Sequence, residues 1–577
     1  MSDTRFIQVI LPLKLEWEPY YRLGEGMEVR PGSRVQVLFA GSFYVACVSA
    51  VEVSPTIGPE KIMPVQAVLE DIPAVSEPEI RFWRILAHYY LCTVGEVYKA
   101  AYPREKNHGS RLKLPAMEVP EDNLSLGPEQ DKAADAVRKG LDSSKPVLLH
   151  GGPASGKTDI CLKIALETLR TGRSVLYLVP DISLLSSMEE AVGKVFPSLL
   201  VYHSGLTPGK RKRVAQVLRT GKPCVVLGTR SALFLPHHAL GLVIVDQEHS
   251  PAYKQDAPAP RYHARESAIM LAGVHGAQVI LSSATPSLES IYNAQCGRFI
   301  QVNLNEGFNS AEGTRTEIIN TVAESRKKGM SGHFSFKLIA AIRECLDGGK
   351  QVLLLGPRRP FADGKKLLDE VMELFPSARI GTLEEETEPE GFDILLGSTL
   401  LTGASQSRNL GLVALLAADG MLSRQDFRAD ERALQVLEQL KGRCPLFVIQ
   451  TREPHHPVFS LLAQGGDPTA RLLEERRVTG LPPYTRLLKV FLKDTNEKRV
   501  NYLAQELAGA LSTAVCPPQG PLPAFSPVPG EFVQEIRLLL PRDKALASRK
   551  QALLKTVWAF EQQRKYTGHI GIDVDPV

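Results

Sequence analysis

A glycine-rich loop between an apolar strand and a helix limits the folds open to this sequence more than any other feature. The loop matches the pattern G-x-x-x-x-G-K-[ST] and consists of Gly151, Gly152, Pro153, Ala154, Ser155, Gly156, Lys157 and Thr158. Its glycines let backbone N–H groups close around phosphate oxygens, its lysine can reach the β and γ phosphates, and its threonine hydroxyl can ligate Mg²⁺. The predicted strand Val147–His150 before the loop is the context that the motif requires. The sequence therefore predicts an α/β domain that binds a nucleoside triphosphate with magnesium.

Apolar strands alternate with helical segments over the middle of the chain. Such strands indicate parallel sheets that are covered by helices on both faces. The predicted strands form two successive sets: Val147–His150, Ser174–Val179, Cys224–Gly228, Leu242–Asp246 and Val279–Ser282, then Gln351–Leu355, Ile394–Gly397, Leu412–Leu416 and Leu446–Gln450. We expect a small β-rich domain at 1–104, a polar linker at 105–123, a first lobe at 124–300, a second lobe at 301–465 and an α+β domain at 466–577.

Composition excludes some classes of protein but does not select a function. The N-terminus is charged, and no run approaches the roughly 18 apolar residues of a membrane span, so we expect a cytoplasmic protein. Of the eight cysteines, the closest pair is Cys47 and Cys92, 45 residues apart, so no zinc-ligand spacing exists and no zinc is expected. A net charge of +4 is a weak signal for nucleic acid, because recognition depends on local patches.

An acidic motif, Asp246-Gln247-Glu248-His249, follows the apolar strand that ends at residue 245. Asp246 at such a strand end can hold Mg²⁺ through water. A lone aspartate after a strand is usually a turn residue, so the functional interpretation of this motif depends on the neighbouring sequence. The neighbouring strings are Gly228–Pro236 before it, Tyr253–Gln255 and Arg261–Arg265 after it, and Ser283–Ser290 beyond.

Together these strings resemble motifs Ib, II and III and the aromatic-rich loop of the PriA family of replication-restart helicases. Further similar strings lie at Leu11–Pro12, Tyr89–Val97, Asp426–Arg432, Glu475–Arg477, Leu481–Tyr484 and Ile572–Pro576, so the resemblance covers nearly the whole chain. It implies two tandem RecA-like helicase lobes, a small N-terminal domain that binds DNA 3′ ends, and a family-specific C-terminal domain. It also implies ATP and Mg²⁺ as cofactors, held by the loop with Asp246, and a role for Gln130 in reading adenine.

Several departures from the family pattern bear on catalysis. Gln247 stands where the family has the glutamate that activates water, and Gln cannot accept that proton. Glu248 is a poor substitute, because in an extended strand it points to the opposite face. Motif VI keeps Arg443 but lacks its second arginine, and the motif V string at 397–406 lacks the residues that couple ATP to DNA. The family's zinc module and winged-helix domain are also missing. Asp246, Gln247, Glu248, His249 and Arg443 remain the candidate catalytic residues.

Candidate DNA-binding residues come from the same resemblance. In the first lobe they are Thr229, Arg230, Tyr253, Lys254 and Arg261. In the N-terminal domain Tyr20 and Tyr21 can stack on a terminal base, with core packing as the alternative. The run from Lys210 to Arg213 can bind a phosphate backbone, with a solvated helix face as the alternative.

The resemblance and the departures lead to two main hypotheses about function, and an accessory protein that has left fork biology is a third alternative. In the first, the protein binds ATP and branched or forked DNA and helps to assemble the primosome at stalled forks through helicase-loading proteins, with helicase activity weak or lost. In the second, it is an active 3′-to-5′ DNA helicase. A nucleoid-associated location follows from either hypothesis. The sequence leaves the protein partner and the oligomeric state open.

Overall fold

The structure is a computed structural model. It describes residues 5–102, 120–153, 155–304, 314–356, 364–382, 391–398, 409–422, 426–441, 443–464, 468–564 and 568–577. Most of the predicted linker, Ala154, Gly442 and the motif V residues 399–406 lie outside the described residues.

The N-terminal domain is an antiparallel sheet followed by two helices. Its elements are β1 Phe6–Ile10, β2 Tyr20–Arg22, β3 Arg34–Phe39, β4 Ser42–Val51, β5 Ala67–Val68, α1 Glu77–Tyr90 and α2 Val94–Ala101, with strand order β2-β1-β4-β3-β5. Both helices begin with a capping box, in which Ser76 pairs with Glu79 and Thr93 with Glu96. The apolar face of α1 packs on the next domain, and Phe82 lies with its ring centroid 6.1 Å from that of Phe234.

The first lobe is a parallel seven-stranded sheet in the order β12-β6-β11-β10-β7-β9-β8. Its elements are α3 Pro128–Asp142, β6 Val147–Gly151, α4 Lys157–Arg170, β7 Ser174–Leu178, α5 Ile182–Val195, β8 Leu200–Tyr202, α6 Pro208–Arg219, β9 Val225–Gly228, β10 Leu240–Asp246, α7 Ala264–His275, β11 Gln278–Ser283, α8 Leu288–Gln295 and β12 Ile300–Leu304. Because β12 pairs with β6, the lobe continues to Leu304 and the boundary predicted at residue 300 falls too early.

The second lobe has a parallel six-stranded sheet in the order β13-β20-β19-β16-β18-β17. Its elements are β13 Arg315–Asn320, α9 Thr321–Arg326, β14 Met330–Ser331, β15 Phe334–Ser335, α10 Phe336–Asp347, β16 Gln351–Gly356, α11 Gly364–Leu374, β17 Ile380–Thr382, β18 Ile394–Ser398, β19 Leu410–Leu415, α12 Asp419–Leu422, α13 Ala429–Lys441, β20 Leu446–Thr451 and α14 Pro457–Gln464. The tandem-lobe α/β fold expected from the sequence is thus confirmed.

The C-terminal region is α+β, as expected. Its elements are α15 Pro468–Val478, β21 Thr485–Asp494, α16 Glu497–Ala514, β22 Gln519–Ala524, β23 Phe532–Pro541, α17 Leu546–Arg564 and β24 His569–Val574, with an antiparallel sheet in the order β22-β23-β21-β24. One buried apolar cluster joins Trp83 of the N-terminal domain, Tyr262 of the first lobe and Leu488 of this domain. Burial of these side chains stabilises the arrangement of the three domains. Among the described residues, no helix has the length and apolarity needed to cross a membrane.

Candidate nucleotide and nucleic-acid site

The phosphate-binding loop connects β6 to α4 at the carboxyl edge of the first sheet. Gly156 caps α4 with a left-handed backbone (φ 84°), which favours glycine, and a Cβ at this position would displace the Gln130 amide, whose Nε2 lies 1.9 Å from that point. The Lys157 ammonium donates hydrogen bonds to the carbonyls of Gly151 (2.7 Å) and Gly152 (2.6 Å). Burial lowers the Lys157 pKa, whereas the charge of Asp246 opposes that shift. A cation over a glycine-rich loop fits phosphate oxygens, which can replace the two carbonyls as acceptors.

Gln130 lies beside this loop but is engaged within the protein. Its Oε1 accepts a hydrogen bond from the backbone N–H of Gly127 (2.8 Å), which caps α3. Its Nε2 donates to the Gly156 carbonyl (3.4 Å) and to Oδ2 of Asp159 (3.3 Å). The residue therefore ties the start of α3 to the loop, and adenine recognition by Gln130 stays a prediction.

Asp246 ends β10 on the same sheet edge. Its carboxylate accepts hydrogen bonds from the Gln247 backbone N–H (3.0 Å) and the Tyr177 hydroxyl (3.4 Å). Burial raises its pKa, and these hydrogen bonds and Lys157 counteract the shift. The Asp246 carboxylate, which the charge of Lys157 influences, and the Thr158 hydroxyl at the start of α4 are hard oxygen groups of the kind that Mg²⁺ prefers. These residues fit a magnesium–nucleotide complex.

The residue after Asp246 does not continue the strand. Gln247 has a left-handed backbone (φ 47°). The extended conformation that we expected for this motif is therefore wrong, and strand alternation does not decide where the following side chain points. The chain instead turns at Gln247 and directs Glu248 into the protein interior.

Glu248 is fully buried, and both of its carboxylate oxygens are engaged. Oε1 accepts from the Ser287 backbone N–H (2.7 Å), and Oε2 accepts from an Arg265 N–H (2.7 Å) and the Ser290 hydroxyl (2.8 Å). A carboxylate saturated in this way has no lone pair directed at a nucleotide. We therefore correct the candidate catalytic assignment of Glu248: it fixes the loop before α8 to the acidic motif.

His249 joins the two lobes. Its Nδ1 lies 2.7 Å from Oγ of Ser283, and its Nε2 lies 2.8 Å from Nε2 of Gln439 in α13. Because the Gln439 amide nitrogen donates, His249 Nε2 accepts, and the ring is neutral with its proton on Nδ1. Burial lowers the His249 pKa to about 4, which agrees with a neutral ring. Gln439 also approaches Thr285 Oγ1 (3.3 Å), so one side chain of the second lobe contacts two motifs of the first.

A cluster of four charged residues lies at the same boundary, and we call it the lobe junction: Glu289, Arg428, Glu431 and Arg476. Glu431 accepts from the Leu288 backbone N–H (2.9 Å) and from Arg476 (2.6 Å), and Arg428 donates to Glu289 (2.6 Å). Two carboxylates thus neutralise two guanidinium groups from the second lobe and α15. All four residues lie in strings that resemble those of the family, but the resemblance gives them no individual role, and no local pattern indicates that they pair.

Arg443 follows α13, and its backbone N–H donates to the Leu440 carbonyl (3.1 Å). Burial lowers the pKa of its guanidinium. These contacts place the residue at the C-terminal end of the helix that carries Gln439. A role for Arg443 in hydrolysis stays a prediction.

Tyr253 and Lys254, two predicted DNA-binding residues in the loop after the acidic motif, are buried. Tyr253 is fully buried, and its single hydroxyl proton is shared between two acceptors, the carbonyls of Asp246 (2.6 Å) and Leu178 (2.9 Å). The Lys254 ammonium donates to the Val574 carbonyl (2.7 Å) and lies 2.7 Å from the Asp573 carboxylate. We correct both assignments, because these side chains anchor the acidic motif and the C-terminal strand and do not face solvent.

The other predicted DNA-binding residues of the first lobe have internal contacts as well. Arg230 donates to the carbonyls of Ala252 (2.9 Å) and Lys254 (2.8 Å). The Arg261 guanidinium lies 4.3 Å from the ring centroid of Phe491, and Thr229 is buried. Direct DNA contact by Arg230 and Arg261 stays a prediction, whereas burial makes Thr229 a packing residue in this conformation.

The two candidate tyrosines of the N-terminal domain differ in exposure. Tyr21 is 2% exposed, donates to the Leu38 carbonyl (3.0 Å), and has its pKa raised to about 12 by burial. Base stacking by Tyr21 is therefore wrong, and core packing is its role. Tyr20 is half-buried, while Trp17 nearby is 59% exposed at a cavity of about 380 Å³ that also contains Trp558 of the C-terminal domain.

A phosphate-binding loop, a strand-end aspartate and a second parallel lobe that contacts the acidic motif define a helicase-type protein that binds a nucleoside triphosphate. Three family models match the chain: the 3′ DNA-binding domain at residues 8–103, the DEAD/DEAH box helicase at 128–294, and the primosomal protein N C-terminal domain at 477–577.

Replication restart protein PriA of Haemophilus influenzae is 30% identical over 74% of this chain and 69% of its own length. The PriA of Rickettsia felis is 27% identical over 99% of both chains. A solved structure of RecG bound to a three-way DNA junction matches with a TM-score of 0.41 at 17% identity, covering 61% of this chain and 46% of that one. The chain belongs to the PriA family of replication restart proteins.

Proposed function

We propose that this protein binds ATP and forked DNA and promotes assembly of the primosome at stalled replication forks, with little ATP turnover. The proposal rests on one observation: at a single edge of the first sheet, the groups that bind a nucleotide are present, but the described residues of the acidic motif include no carboxylate free to activate water. Lys157 and Asp246 are positioned to hold a magnesium nucleotide, while Gln247 and the saturated Glu248 leave no carboxylate free in the acidic motif to activate water. Binding chemistry is retained and proton-acceptor chemistry is not.

Nucleotide binding needs only groups that this chain keeps. The Lys157 ammonium and the first backbone N–H groups of α4 take the phosphates, and Thr158 with Asp246 holds the metal. Magnesium supplies charge neutralisation of the β and γ phosphates. Gln130, which lies beside the same loop, is the candidate residue for adenine recognition.

Hydrolysis needs a group that accepts a proton from water, and its loss costs about 10²–10⁴ in rate. Loss of one arginine of motif VI costs further transition-state stabilisation, although such losses do not add independently. A protein in this state holds ATP for long periods, which suits a scaffold that marks a fork for helicase-loading proteins in the nucleoid.

The proposal is tested by measuring nucleotide binding and turnover on the same preparation. A fluorescent ATP analogue should bind one site per chain in the presence of Mg²⁺, and Lys157→Ala should abolish that binding. Phosphate release should stay near background with or without forked DNA. Rapid DNA-stimulated phosphate release by the wild-type protein would refute the proposal.

One observation favours the second hypothesis, an active 3′-to-5′ helicase. The contact of Gln439 with His249 and Thr285 links the lobes at the acidic motif, and nucleotide-driven movement requires such a link. Strand displacement on a fork with a 3′ single-stranded arm distinguishes the two functions. ATP-dependent displacement would favour the helicase, and fork binding without displacement favours the scaffold.

A further inference from the structure

One stretch of the first lobe has a charge unlike that of the rest of the chain. Residues 191–245 contain no Asp or Glu, and they contain eight basic residues: Lys194, Lys210, Arg211, Lys212, Arg213, Arg219, Lys222 and Arg230. Subtracting these eight charges from the chain's +4 leaves −4 on all other residues. The positive charge of the protein is therefore concentrated in this stretch.

Several of these cations have partners within the protein. Lys194 lies 2.8 Å from Glu190, Arg219 donates to the Tyr102 hydroxyl (3.2 Å), and Arg230 donates to two backbone carbonyls. These residues have structural roles and do not need an external anion.

Four consecutive cations stand at the start of α6, and we call them the α6 surface: Lys210, Arg211, Lys212 and Arg213. Lys210 and Arg213 are exposed and lie three residues apart, so they share one side of the helix. Within the described part of the chain, no carboxylate lies within 4.0 Å of Lys210, Arg211 or Arg213. Val214, Val217 and Leu218 form the buried side, which fixes the orientation of the basic side.

The fold places this surface on the same edge as the nucleotide site. The strands β6 to β11 are parallel, so the loops that follow them meet at one edge of the sheet. The outermost strand, β8, leads into α6, and the Thr229 backbone N–H donates to the Tyr202 carbonyl at the end of β8 (3.1 Å). The α6 surface therefore lies beyond Thr229, at the outer rim of this edge.

Electrostatics at this rim favours an anionic ligand. The N-terminus of a helix carries a positive partial charge, so cations in the first turn are unfavourable there. Mutual repulsion between neighbouring cations adds to that cost. A row of phosphates neutralises the cations and releases condensed counterions, which is the main source of affinity in binding to a nucleic-acid backbone.

The side chains of this stretch also indicate which form of nucleic acid is bound. Single strands are usually held by exposed aromatic residues on which bases stack. Phe196 and Phe234 are buried, Tyr202 is half-buried, and no exposed large apolar side chain is found between Ile182 and Val322 in the described residues. A surface with cations and no stacking platform fits the backbone of a duplex.

We propose that the α6 surface binds the phosphodiester backbone of a duplex arm of forked DNA, at the outer rim of the first lobe. This inference rests on the proposed function, since it presumes that the protein engages a fork. It adds a contact that is independent of base sequence and of the nucleotide site.

The test compares two double variants with the same loss of charge. Lys210→Gln/Arg213→Gln removes two exposed cations of α6, and Gln keeps its helix propensity. Arg326→Gln/Lys327→Gln, at the exposed end of α9 in the second lobe, is the matched control. Binding of the full-length proteins to a fluorescent fork, to its duplex arm alone and to a single strand of equal length is measured by anisotropy over ~50 to ~200 mM salt. Thermal melting checks that both variants are folded.

On the fork and on the duplex, the α6 variant should show a log–log salt slope shallower by about 1.8, because each lost phosphate contact removes about 0.9. The control should keep the wild-type slope, and both variants should bind the single strand equally.

Equal slopes for the α6 variant and the control on the fork would overturn the inference. An equal loss of slope on the single strand would overturn its assignment to duplex. Loss of binding to anionic phospholipid vesicles without any change on DNA would reassign the surface to lipid head groups. The proposed function is tested separately with the wild-type protein. Equal affinity of the wild type for the fork and for the isolated duplex would contradict the proposed function but not the binding of duplex by the α6 surface.

Discussion

Replacing Gln247 by Glu tests whether the missing proton acceptor is what limits ATP turnover. Gln and Glu have nearly the same shape, so the left-handed backbone at this position (φ 47°) is equally compatible with either residue. The change places a carboxylate directly after Asp246, whose pKa burial already raises. Lys157 and bound magnesium offset the repulsion between the two carboxylates. We therefore expect the variant to fold and to bind ATP as the wild type does.

The size of the gain follows from what else the site lacks. A general base contributes about 10²–10⁴ in rate, or about 2.7–5.4 kcal/mol of barrier at about 1.36 kcal/mol per decade. The second arginine of motif VI is still missing, and residues that act as one catalytic unit do not recover independently. Glu248 adds nothing, because its carboxylate is bound by Arg265, Ser287 and Ser290. We expect turnover to rise about 10- to 100-fold, with no strand separation.

Phosphate release at saturating ATP, with and without forked DNA, measures the gain. Gln301→Glu on the exposed edge strand β12 makes the same change of charge away from the site and should have no effect. Adding Lys157→Ala to the Gln247→Glu variant should abolish the gain, which shows that the activity comes from this site. Unchanged turnover would place the defect outside the acidic motif. Unwinding of forks by the variant would refute our interpretation of motifs V and VI.

Two further predictions concern stability. Glu248→Gln leaves Arg265 facing an amide donor in a buried site. Breaking such a buried ion pair lowers the free energy of unfolding by about 3–5 kcal/mol. We expect the lower value, because Glu266 still pairs with Arg265. Hydrogen exchange of the α8 backbone amides should therefore be faster in the Glu248→Gln variant. The control Glu190→Gln, at an exposed ion pair, should leave the exchange rates of these amides unchanged. Equal exchange rates in both variants would contradict the assigned role of Glu248. Burial lowers the pKa of His249 to about 4, below its unfolded value of about 6.5, so the unfolded state binds more protons and stability falls as pH decreases between these values. His249→Gln should weaken the pH dependence of the free energy of unfolding. It should not remove that dependence, because His237 is also buried with its pKa lowered to about 4. An identical pH dependence in the wild type and the variant would exclude a buried neutral His249.

Strand positions in the lobes could be predicted from the sequence because their signal is local. A continuous apolar run bounded by turn residues specifies a buried strand, and β6, β10 and β16 lie within two residues of their predicted bounds. The strands β8 and β12 were missed for the same reason. β8 has three residues and is only partly buried, and β12 alternates exposed and buried residues at the edge of the sheet. Weakly apolar edge strands do not stand out from loops.

The loop after the acidic motif shows what local composition cannot decide. Tyr253 and Lys254 are an aromatic and a basic residue, and such pairs are equally typical of a DNA-binding loop and of an anchoring loop. Lys254 is bound by Asp573 and Val574, which lie more than three hundred residues further along the chain. The partner that buries this lysine is known only once the C-terminal strand has been placed. Charged residues are mostly exposed, so a sequence pattern also gives no reason to expect the buried pairs of the lobe junction.

The lobe junction and the acidic motif together suggest how ATP can act without being hydrolysed. Glu431 of the second lobe holds the backbone N–H of Leu288, and Glu248 holds that of Ser287, so both lobes fix the same turn before α8. The Gln439–His249 contact fixes the acidic motif from the same helix, α13. A nucleotide bound between Lys157 and Asp246 therefore contacts an element that is already tied to the second lobe. By linkage, a ligand that binds only this arrangement stabilises it in proportion to its affinity and concentration. Under the proposed function, slow turnover prolongs that stabilisation, whereas an efficient base would end it with each hydrolysis event.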